Sequence, residues 1–533
     1  MKYPALSIDP RFKRQLILYF SIAAVFYVLA ALFQSRYSHP DQHFQTLEFA
    51  NLKLHPQADV FYPWEYHEKI RPWLQPYLYV EIIRCLNGFG IDNPFTHERA
   101  IRLLSGALGL AANILFCITL SWWLPLAAQK KWLAIMFSLF WALPVLHTRT
   151  SAENLSGTFM MLSLAALFLL RRPDPQNSSM TATGSGPFTG RFEFSTEGLV
   201  LSAICLGLMF QFRYQMGAIC AALLLWMLLI ARVPIRHAAL YCLVFGCITV
   251  AGIGLDSLGY NSFQIVPWNY FKSNLLDGMA NGFGVQPWHF YLTKSLEEPG
   301  GVILILCALI FWVTYPLNLL SWMTLLFFVE HSLIDHKEVR FLLPVVHLGL
   351  AMFAFLVPQD WFRRATSGNP FTGHARWIKL SFYLVVAINL AMIVEDLARP
   401  SRPEIRVQKL IHDLQPAMFE FYSLGPTPYR WKSDFRSGHA LTMNFYAPKQ
   451  VLHHSLDTVA DLEKAISVHR SIYFYHDETG LPDTADWTQI RLWCTEISQG
   501  GGSILHLLNS DESTESIGSV YRCARPNPSQ VGK

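Results

Sequence analysis

The chain has 533 residues, of which 52% are hydrophobic and 15% charged, and its formal net charge is +4. Soluble domains carry charge on about a quarter of their residues, so this composition excludes an ordinary soluble enzyme or binding protein. The net charge says little by itself, and we expect no nucleic-acid partner. Repeated apolar runs instead predict a mainly helical, polytopic membrane protein whose first partner is the lipid bilayer.

The apolar runs predict about 11 transmembrane helices. The first covers 16–33 and follows Lys2, Arg11, Lys13 and Arg14, which place the N-terminus in the cytoplasm. No small-residue cleavage site follows this run, so we expect it to stay uncleaved. The other spans are predicted over 101–124, 132–146, 155–170, 198–210, 216–230, 238–255, 302–315, 319–334, 341–357 and 380–394.

These spans predict two domains. Residues 1–400 form a transmembrane domain with a large first outer loop, 34–98. This loop is rich in aromatic residues, and interfacial helices are predicted at 47–54 and 77–86. Residues 401–533 have no apolar run of membrane-spanning length, so we expect a small soluble domain on the outer side.

The C-terminal residues have the patterns of an α/β domain. Residues 471–475 alternate like a strand, and 459–466 have the periodicity of a short helix. Cys494 and Cys523 are the two cysteines in this polar region. They are predicted to form a disulfide if the region faces an oxidising compartment.

Basic residues indicate the side of each connecting loop. The positive-inside rule assigns to the cytoplasm the loops with Lys and Arg at 130–131, 171–172, 232–236 and 363–364. The opposite, outer side then receives the segments of mixed acidic, basic and aromatic character. These are 38–45, 147–154, Arg213, 256–299 and 335–340.

Asp41 follows the first span directly. Pro40 stops a helix there and biases His39 toward an extended conformation, which predicts a stiff loop at the water–lipid boundary. An ordinary polar residue at the exit of a span is one interpretation of Asp41. The flanking His39 and His43 and the aromatic loop that follows favour a reacting base, because ionisable groups at such positions are commonly functional.

A second cluster of charged residues lies between two apolar runs. It consists of His336, Lys337, Glu338 and Arg340. One interpretation is an interfacial loop with snorkelling side chains. The other is an anion site, because Arg binds phosphate in a bidentate manner and Lys as a point charge. Positive charge on the outer side favours the anion site.

Two aromatic segments also carry charged side chains. Residues 61–66, which include Glu65, precede Arg71, and they suit either an aromatic belt or stacking on a sugar ring. Asp256 and Tyr260 open a long aromatic loop. That loop suits either carbohydrate or membrane anchoring.

Arg149 has two interpretations as well. It precedes Glu153 by four residues, which is the spacing of a helix-end ion pair. The alternative is a contact with substrate on the outer side.

Together these residues suggest chemistry on a lipid-linked anion. A phosphate leaving group needs no general acid, since it departs as a stable anion. The reaction needs a base for the incoming hydroxyl group and cations for the phosphate. Asp41 suits the first role, and Lys337 with Arg340 the second.

Five blocks of the sequence resemble the glycosyltransferase 22 family, the membrane mannosyltransferases that build GPI anchors and lipid-linked oligosaccharides. The resemblance covers about 15–400 and is strongest to the GPI mannosyltransferase III branch. The blocks occur in the family's order. They are His39-Pro40-Asp41, Trp64-Glu65-Tyr66 followed by Arg71, Thr148-Arg149-Thr150, Asp256-Ser257-x-x-Tyr260 with Asn269-Tyr270-Phe271-Lys272-x-Asn274, and His336-Lys337-Glu338-x-Arg340-Phe341.

The resemblance implies a GT-C fold and a catalytic role for the transmembrane domain. It implies transfer of mannose, with inversion, from a polyprenyl-phosphate-mannose donor such as dolichyl-phosphate-mannose to a lipid-linked or other glycan acceptor. It implies Asp41 as the catalytic base and a donor phosphate site at His336, Lys337 and Arg340. Contacts with substrate are expected from His39, Gln42, Glu65, Arg71, Arg149, Asp256, Tyr260 and Glu338.

One residue departs from the family pattern. The residue after the aspartate is usually Glu, and here it is Gln42, so a second carboxylate is missing beside the proposed base. The sequence shows no metal-ligand spacing, and we expect neither a metal ion nor a cofactor beyond the lipid-phosphate-sugar donor.

Two other functions remain open from the sequence. A flippase or transporter of a lipid-linked sugar would show inverted repeats and charges at mid-membrane, whereas the ionisable residues here cluster at span ends. A GT-C transferase of another polyprenyl-linked sugar has the same chemical requirements. The expected location is a bacterial inner membrane or the endoplasmic reticulum membrane, with the active site on the periplasmic or lumenal side.

Overall fold

The computed structural model describes residues 8–33, 39–56, 62–170, 194–298, 300–357, 372–398, 403–414, 419–424, 429–433, 440–447, 451–469, 471–476, 484, 487–497 and 519–524. The chain forms two compact units. The first comprises 1–33, 68–78 and 100–397, and the second comprises 34–67, 79–99 and 398–533.

Membrane-length helices are present in the described part of the chain. Five helices are long and apolar enough to cross a membrane, and four apolar helices are shorter. The five are Pro10–Phe33, Pro94–Ser121, Ala152–Leu169, Ile235–Gly259 and Val339–Leu356. The four are Thr196–Phe212, Tyr214–Leu229, Gly301–Thr314 and Leu319–Leu333. The predicted number of 11 spans therefore stays a prediction.

Further helices connect the apolar ones in the first unit. The α-helices are Ala127–Leu139, Ala142–His147, Val266–Phe271, Phe290–Lys294 and Thr372–Ala398. Short 3-10 or π segments are Tyr214–Met216, Lys272–Leu276, Met279–Phe283 and Val339–Val345. Pro344 has no N–H to donate to a helix, and the regular α-helix Val346–Leu356 begins directly after that 3-10 turn.

The first unit has one large apolar core and an apolar outer surface. Leu133, Phe137, Met160 and Trp226 are among its fully buried members. On the helix Ile235–Gly259, by contrast, side chains such as Val250 are exposed. Exposed apolar side chains along a membrane-length helix are what lipid contact requires.

The second unit contains a mixed sheet. Strands β1 (Phe419–Leu424), β4 (Val451–Leu456) and β5 (Ile472–His476) are parallel, and β1 lies between β4 and β5. The strands β7 (Ser519–Cys523) and β6 (Cys494–Glu496) continue the sheet in antiparallel register, and a disulfide joins Cys494 to Cys523. A separate hairpin pairs β2 (Arg430–Ser433) with β3 (Ala440–Thr442).

The second unit also contains two sets of helices, one beside the sheet and one in the first loop. Val459–Val468 connects β4 to β5, as parallel strands require, and Pro403–Asp413 and Thr488–Trp493 accompany the sheet. In the first loop the helices are Glu48–Leu54, Trp64–His67 and Leu74–Gly88. The expectation of a mainly helical membrane protein with a small C-terminal α/β region is thus confirmed.

Candidate active site

The turn that carries Asp41 belongs to the second unit. The backbone N–H of Asp41 donates to Nδ1 of His39 at 3.2 Å, and the same nitrogen lies 3.3 Å from the Asp41 carboxylate. The carbonyl of Pro40 accepts the N–H groups of His43 and Phe44 at 2.9 and 3.0 Å. The side chain of Asp41 is 23% exposed, and its predicted role as the base stays a prediction.

A π-helix, His43–Leu47, follows this turn immediately. His43 is fully buried, and its Nε2 donates to the buried carboxylate of Glu48 at 2.7 Å. The same carboxylate accepts the backbone N–H of Phe445 at 2.9 Å, and the ring of Tyr446 stacks on His43. A buried carboxylate therefore fixes the turn to a segment of the C-terminal region within the same unit. Irregular π turns of this kind are frequent at functional sites.

Gln42 and Glu65 are both buried in the second unit. The side chain of Thr46 donates to the carbonyl of Gln42 at 2.6 Å, and Gln45 donates to the carboxylate of Glu65 at 3.1 Å. A neutral amide at position 42 avoids the cost of burying a second carboxylate beside Asp41. The predicted contacts of His39, Gln42 and Glu65 with substrate stay predictions.

Asp256 and Tyr260 lie in the first unit and bind the backbone around Arg71. Asp256 is buried, and its two carboxylate oxygens accept the N–H of Trp73 at 2.7 Å and the hydroxyl of Tyr214 at 2.8 Å. The hydroxyl of Tyr260 accepts from the N–H of Arg71 and donates to its carbonyl at 2.9 Å. These bonds give both residues a structural role, and their contact with substrate stays a prediction.

Close packing reinforces this arrangement. A Cβ atom at Gly259 would lie 2.1 Å from the indole ring of Trp73, so only glycine fits there. The guanidinium of Arg71 lies 5.9 Å from the centre of the Tyr270 ring. The backbone of Arg71 is thus fixed, whereas its charged group reaches the aromatic loop that follows Tyr260.

The predicted phosphate segment also lies in the first unit, and Glu338 is its centre. Glu338 accepts Nε and Nη2 of Arg340 at 2.6 and 2.9 Å and Nε2 of His336 at 3.0 Å. Nδ1 of His336 faces the carbonyl of Gly284 at 3.0 Å. Both ring nitrogens therefore face acceptors, which favours the protonated imidazolium, and the bond to Glu338 raises the pKa of His336.

Lys337 is buried beside this cluster. Its ammonium donates to the carbonyl of Gln286 at 2.9 Å, and the N–H of Gln286 donates to the carbonyl of Asp335 at 2.9 Å. Burial lowers the pKa of Lys337. Lys337 thus joins the segment 335–337 to the loop at 286, and its predicted contact with phosphate stays a prediction.

Arg149 and Glu153 do not belong to one helix. The helix Ala152–Leu169 has Ser151 as its N-cap, so Arg149 lies before the helix and the spacing of an i,i+4 pair does not apply. Glu153 is buried, and its Oε1 lies 2.7 Å from Nη1 of Arg213 and 3.7 Å from Nη1 of Arg340. The sequence singled out neither of these pairs, although an arginine between two apolar runs is a signal for function.

The sequence also missed a buried histidine pair. Nε2 of His147 lies 3.0 Å from Nε2 of His347, and Nδ1 of His147 lies 3.1 Å from the side-chain oxygen of Asn154. This contact joins the segment before the helix Ala152–Leu169 to the helix that follows Arg340. His147 and His347 lie far apart in the chain. A contact between such distant residues leaves no periodic pattern, so the sequence does not reveal it.

An apolar cavity of about 200 Å³ lies in the first unit, close to the phosphate segment in the chain. Its lining includes Trp312, Phe327, Val339 and Leu342, and Val339 directly precedes Arg340 in the chain. In the described residues no group of three or more His, Cys, Asp or Glu side chains is arranged to hold a metal ion. The expectation of a reaction without metal or cofactor stays a prediction.

A solved structure has the same fold. ArnT from Cupriavidus metallidurans, solved with bound undecaprenyl phosphate, matches 96% of this chain and 99% of its own with a TM-score of 0.55, at 13% sequence identity. The expected GT-C type of membrane fold is thereby confirmed.

Curated relatives are mannosyltransferases. Mannosyltransferase APTG1 of Arabidopsis thaliana is 25% identical over 398 residues, which are 70% of this chain and 66% of the relative. GPI mannosyltransferase 3 of Candida albicans is 24% identical over 57% of this chain and 56% of the relative. The chain thus spans less than two thirds of the length of each of these two relatives.

The family comparison covers most of the transmembrane region and reaches the first strand of the C-terminal sheet. The model of the Alg9-like mannosyltransferase family matches residues 17–421. This range is more than half of the chain and contains all five sequence blocks described above. The chain therefore belongs to the Alg9-like mannosyltransferase family.

Proposed function

We propose that the protein is an inverting mannosyltransferase that moves mannose from a polyprenyl-phosphate-mannose donor to the hydroxyl group of a lipid-linked glycan. The observation that carries the proposal is family membership over 17–421. The named relatives with GPI mannosyltransferase activity support a GPI-like glycolipid as the acceptor class.

In the proposed reaction Asp41 removes a proton from the acceptor hydroxyl. The oxygen attacks the anomeric carbon of mannose from the face opposite the phosphate. The bond between that carbon and the phosphate oxygen breaks, and polyprenyl phosphate leaves with the electron pair. Backside attack inverts the anomeric centre, and the product keeps no covalent link to the enzyme.

Cations stabilise the negative charge that develops on the leaving phosphate. His336, Lys337 and Arg340 are the proposed residues, and the bidentate pair with Glu338 orients the guanidinium of Arg340. The apolar cavity beside Val339 suits part of the polyprenyl chain. The bound undecaprenyl phosphate in ArnT supports a carrier of this chemical class.

We place the reaction on the periplasmic or lumenal face of an integral membrane protein. The charge distribution of the loops supports this side. The bilayer, the donor lipid and the glycan acceptor are then the partners of the protein.

Purified full-length protein tests the proposal with a panel of radiolabelled donors. Polyprenyl-phosphate-mannose is expected to label lipid-linked mannosylated acceptors, whereas the corresponding glucose and arabinose donors are expected to give little product. The configuration of the new linkage should be opposite to that of the donor. Preferred transfer of glucose or arabinose would identify a transferase of another polyprenyl-linked sugar, and movement of intact donor across vesicles without transfer would identify a flippase.

A further inference from the structure

A helical segment after the helix Ile235–Gly259 has its apolar side chains on the outside. It covers 266–276 and consists of the α-helix Val266–Phe271 and the π-helix Lys272–Leu276. Its exposed side chains recur at the spacing of one helix face. They are Trp268, Phe271, Lys272, Leu275 and Leu276. Four of these five side chains are large and apolar, whereas a helix that faces water exposes polar side chains.

The inner side of the same segment carries polar groups that contact the protein. Nδ2 of Asn269 donates to the carbonyl of Lys69 at 3.2 Å and to the side-chain oxygen of Gln264 at 3.1 Å. The ring centre of Tyr270 lies 5.9 Å from the guanidinium of Arg71. The segment is therefore inverted relative to a surface helix of a soluble protein, because its polar groups meet the chain and its apolar groups leave it.

The exposed apolar surface continues on both sides of the segment. Phe263, which precedes the segment, is 77% exposed. Val285 and Trp288, which follow it, are also exposed. So many exposed apolar side chains are unusual on a soluble surface, and they mark contact with a membrane or with another protein.

The neighbouring elements identify lipid as the partner. The helix Ile235–Gly259 has membrane length, and few of its side chains are buried. Leu258, one turn before Ser262 at its end, is 67% exposed. The apolar helix Gly301–Thr314 follows the loop, and its Val313 is exposed as well. The segment thus lies in the chain between two helices that present apolar side chains outward, and it continues a surface that suits lipid contact.

We propose that the segment 266–276 lies in the plane of the membrane surface, in the leaflet where the helix Ile235–Gly259 ends. Four side chains enter the boundary between headgroups and acyl chains. This apolar stripe consists of Trp268, Phe271, Leu275 and Leu276. Lys272 extends to the lipid phosphates, since its apolar stem can lie along the leaflet. The partner is the phospholipid bilayer, and the inner contact with Tyr270 holds Arg71 at the depth of the headgroups.

Spin labels on the full-length protein in lipid nanodiscs test the proposal. Each label is attached to one introduced cysteine, in a protein whose seven free cysteines are replaced by serine and whose disulfide is kept. Three positions are compared, namely Leu276→Cys in the stripe, Val250→Cys on the helix Ile235–Gly259 and Leu492→Cys in the second unit. The native side chains are 62%, 68% and 76% exposed, respectively. Collisions of the label with oxygen, which dissolves in lipid, and with a water-soluble nickel chelate report its surroundings.

The ratio of oxygen to nickel collisions distinguishes the possible environments. At Leu276→Cys it is expected to resemble the ratio at Val250→Cys and to be several-fold higher than the ratio at Leu492→Cys. A ratio equal to that at Leu492→Cys would overturn the proposal, because the segment would then face water. Few collisions with either reagent would also overturn it, since protein such as a second copy of the chain would then cover the stripe. Leu275→Cys repeats the measurement at a second position in case Leu276→Cys does not fold.

A charge reversal tests the contact of Lys272 with the lipid phosphates. In nanodiscs with anionic lipid, Lys272→Glu should lower the ratio at the label on position 276, because the carboxylate is repelled from the headgroups. Lys464→Glu reverses an exposed charge in the second unit and should leave that ratio unchanged. An unchanged ratio in Lys272→Glu would overturn the phosphate contact. None of these outcomes depends on transfer of mannose, so the proposed function is tested separately.

Discussion

The turn at Asp41 and the cationic cluster at Glu338 use carboxylates in opposite ways. Glu48 is buried, and it connects His43 to a backbone N–H that lies 397 residues away. Glu338 is 26% exposed, and two of its partners, His336 and Arg340, are each two residues away. The first carboxylate is a fixed brace inside the second unit. The second belongs to a local ion-pair cluster, which is the proposed phosphate site.

The largest effect is expected from Asp41, because Glu48 and His43 brace the turn that carries it. Asp41→Asn removes the proposed base and should reduce mannose transfer by about a thousandfold or more. Binding of undecaprenyl phosphate should change little, because the proposed phosphate contacts come from His336, Lys337 and Arg340 and not from Asp41. Initial rates with polyprenyl-phosphate-mannose measure the first effect, and equilibrium binding measures the second.

Asp92→Asn is the matched control for this variant. Asp92 is exposed and belongs to the second unit, so its loss should leave the rate unchanged. Turnover near that of the wild type for Asp41→Asn would show that another group is the base.

Removing the brace itself should act on stability. Glu48→Gln takes the charge from a buried pair and should lower the free energy of unfolding by about 3 kcal/mol. The drop is expected in the melting temperature of the purified protein and in the rate of transfer, since His43 lies two residues from Asp41.

The exposed pair of Glu81 and Arg84 supplies the control in the same unit. Their side chains are 64% and 57% exposed, and Glu81→Gln should change the free energy of unfolding by less than about 1 kcal/mol. Equal melting temperatures for Glu48→Gln and the wild type would contradict the role of Glu48 as a brace.

The same contrast explains what the sequence predicts well. Pro40 predicts the turn at Asp41, and residues 336–340 predict a cationic cluster. Both predictions succeed because these features depend on residues that are neighbours in the chain. Apolar runs predict the membrane fold for the same reason, and strand alternation predicts β5. The lengths of the helices are less predictable, because an apolar run can include a turn as well as a helix. The 3-10 turn that precedes the α-helix beginning at Val346 is an example.

Distant partners explain what the sequence does not predict. Asp256 accepts a backbone N–H from Trp73, which is 183 residues away, and its contact with substrate stays a prediction. Arg213 finds Glu153 across 60 residues. Neither pair has a periodicity or a spacing that marks it. A single sequence therefore identifies such charged residues as unusual in a membrane protein without identifying their partners.

A smaller effect is expected in the ion-pair cluster around Glu338. Arg340→Gln removes one proposed phosphate contact and should raise the KM for donor by about tenfold, with a smaller change in kcat. The KM of Arg340→Lys should lie between those of Arg340→Gln and the wild type, because lysine keeps the charge but lacks the planar fork that pairs with Glu338. Initial rates over a range of donor concentrations give both constants.

Lys294→Met provides the control for this variant. Lys294 is exposed and pairs with Glu297, so its loss removes one positive charge from the first unit at another place. It should leave the KM unchanged. An unaltered KM in Arg340→Gln would contradict the phosphate role of Arg340.

The smallest expected effect is a dependence of the same cluster on pH. The hydrogen bond to Glu338 raises the pKa of His336 above its ordinary value, so the folded protein binds this proton more tightly than the unfolded chain does. The stabilisation is fully present below the unfolded pKa of about 6.5 and is lost as the pH rises through the folded pKa. Wild type should therefore lose melting temperature over this interval relative to His336→Gln, by an amount equivalent to about 0.5 kcal/mol for a partly exposed pair. Donor affinity should fall in the same interval, because His336 loses the positive charge that the proposed phosphate site uses. Parallel pH curves for the two proteins would mean that His336 does not hold a proton in this interval. Lys337 and Arg340 would then be the proposed cations that bind the phosphate.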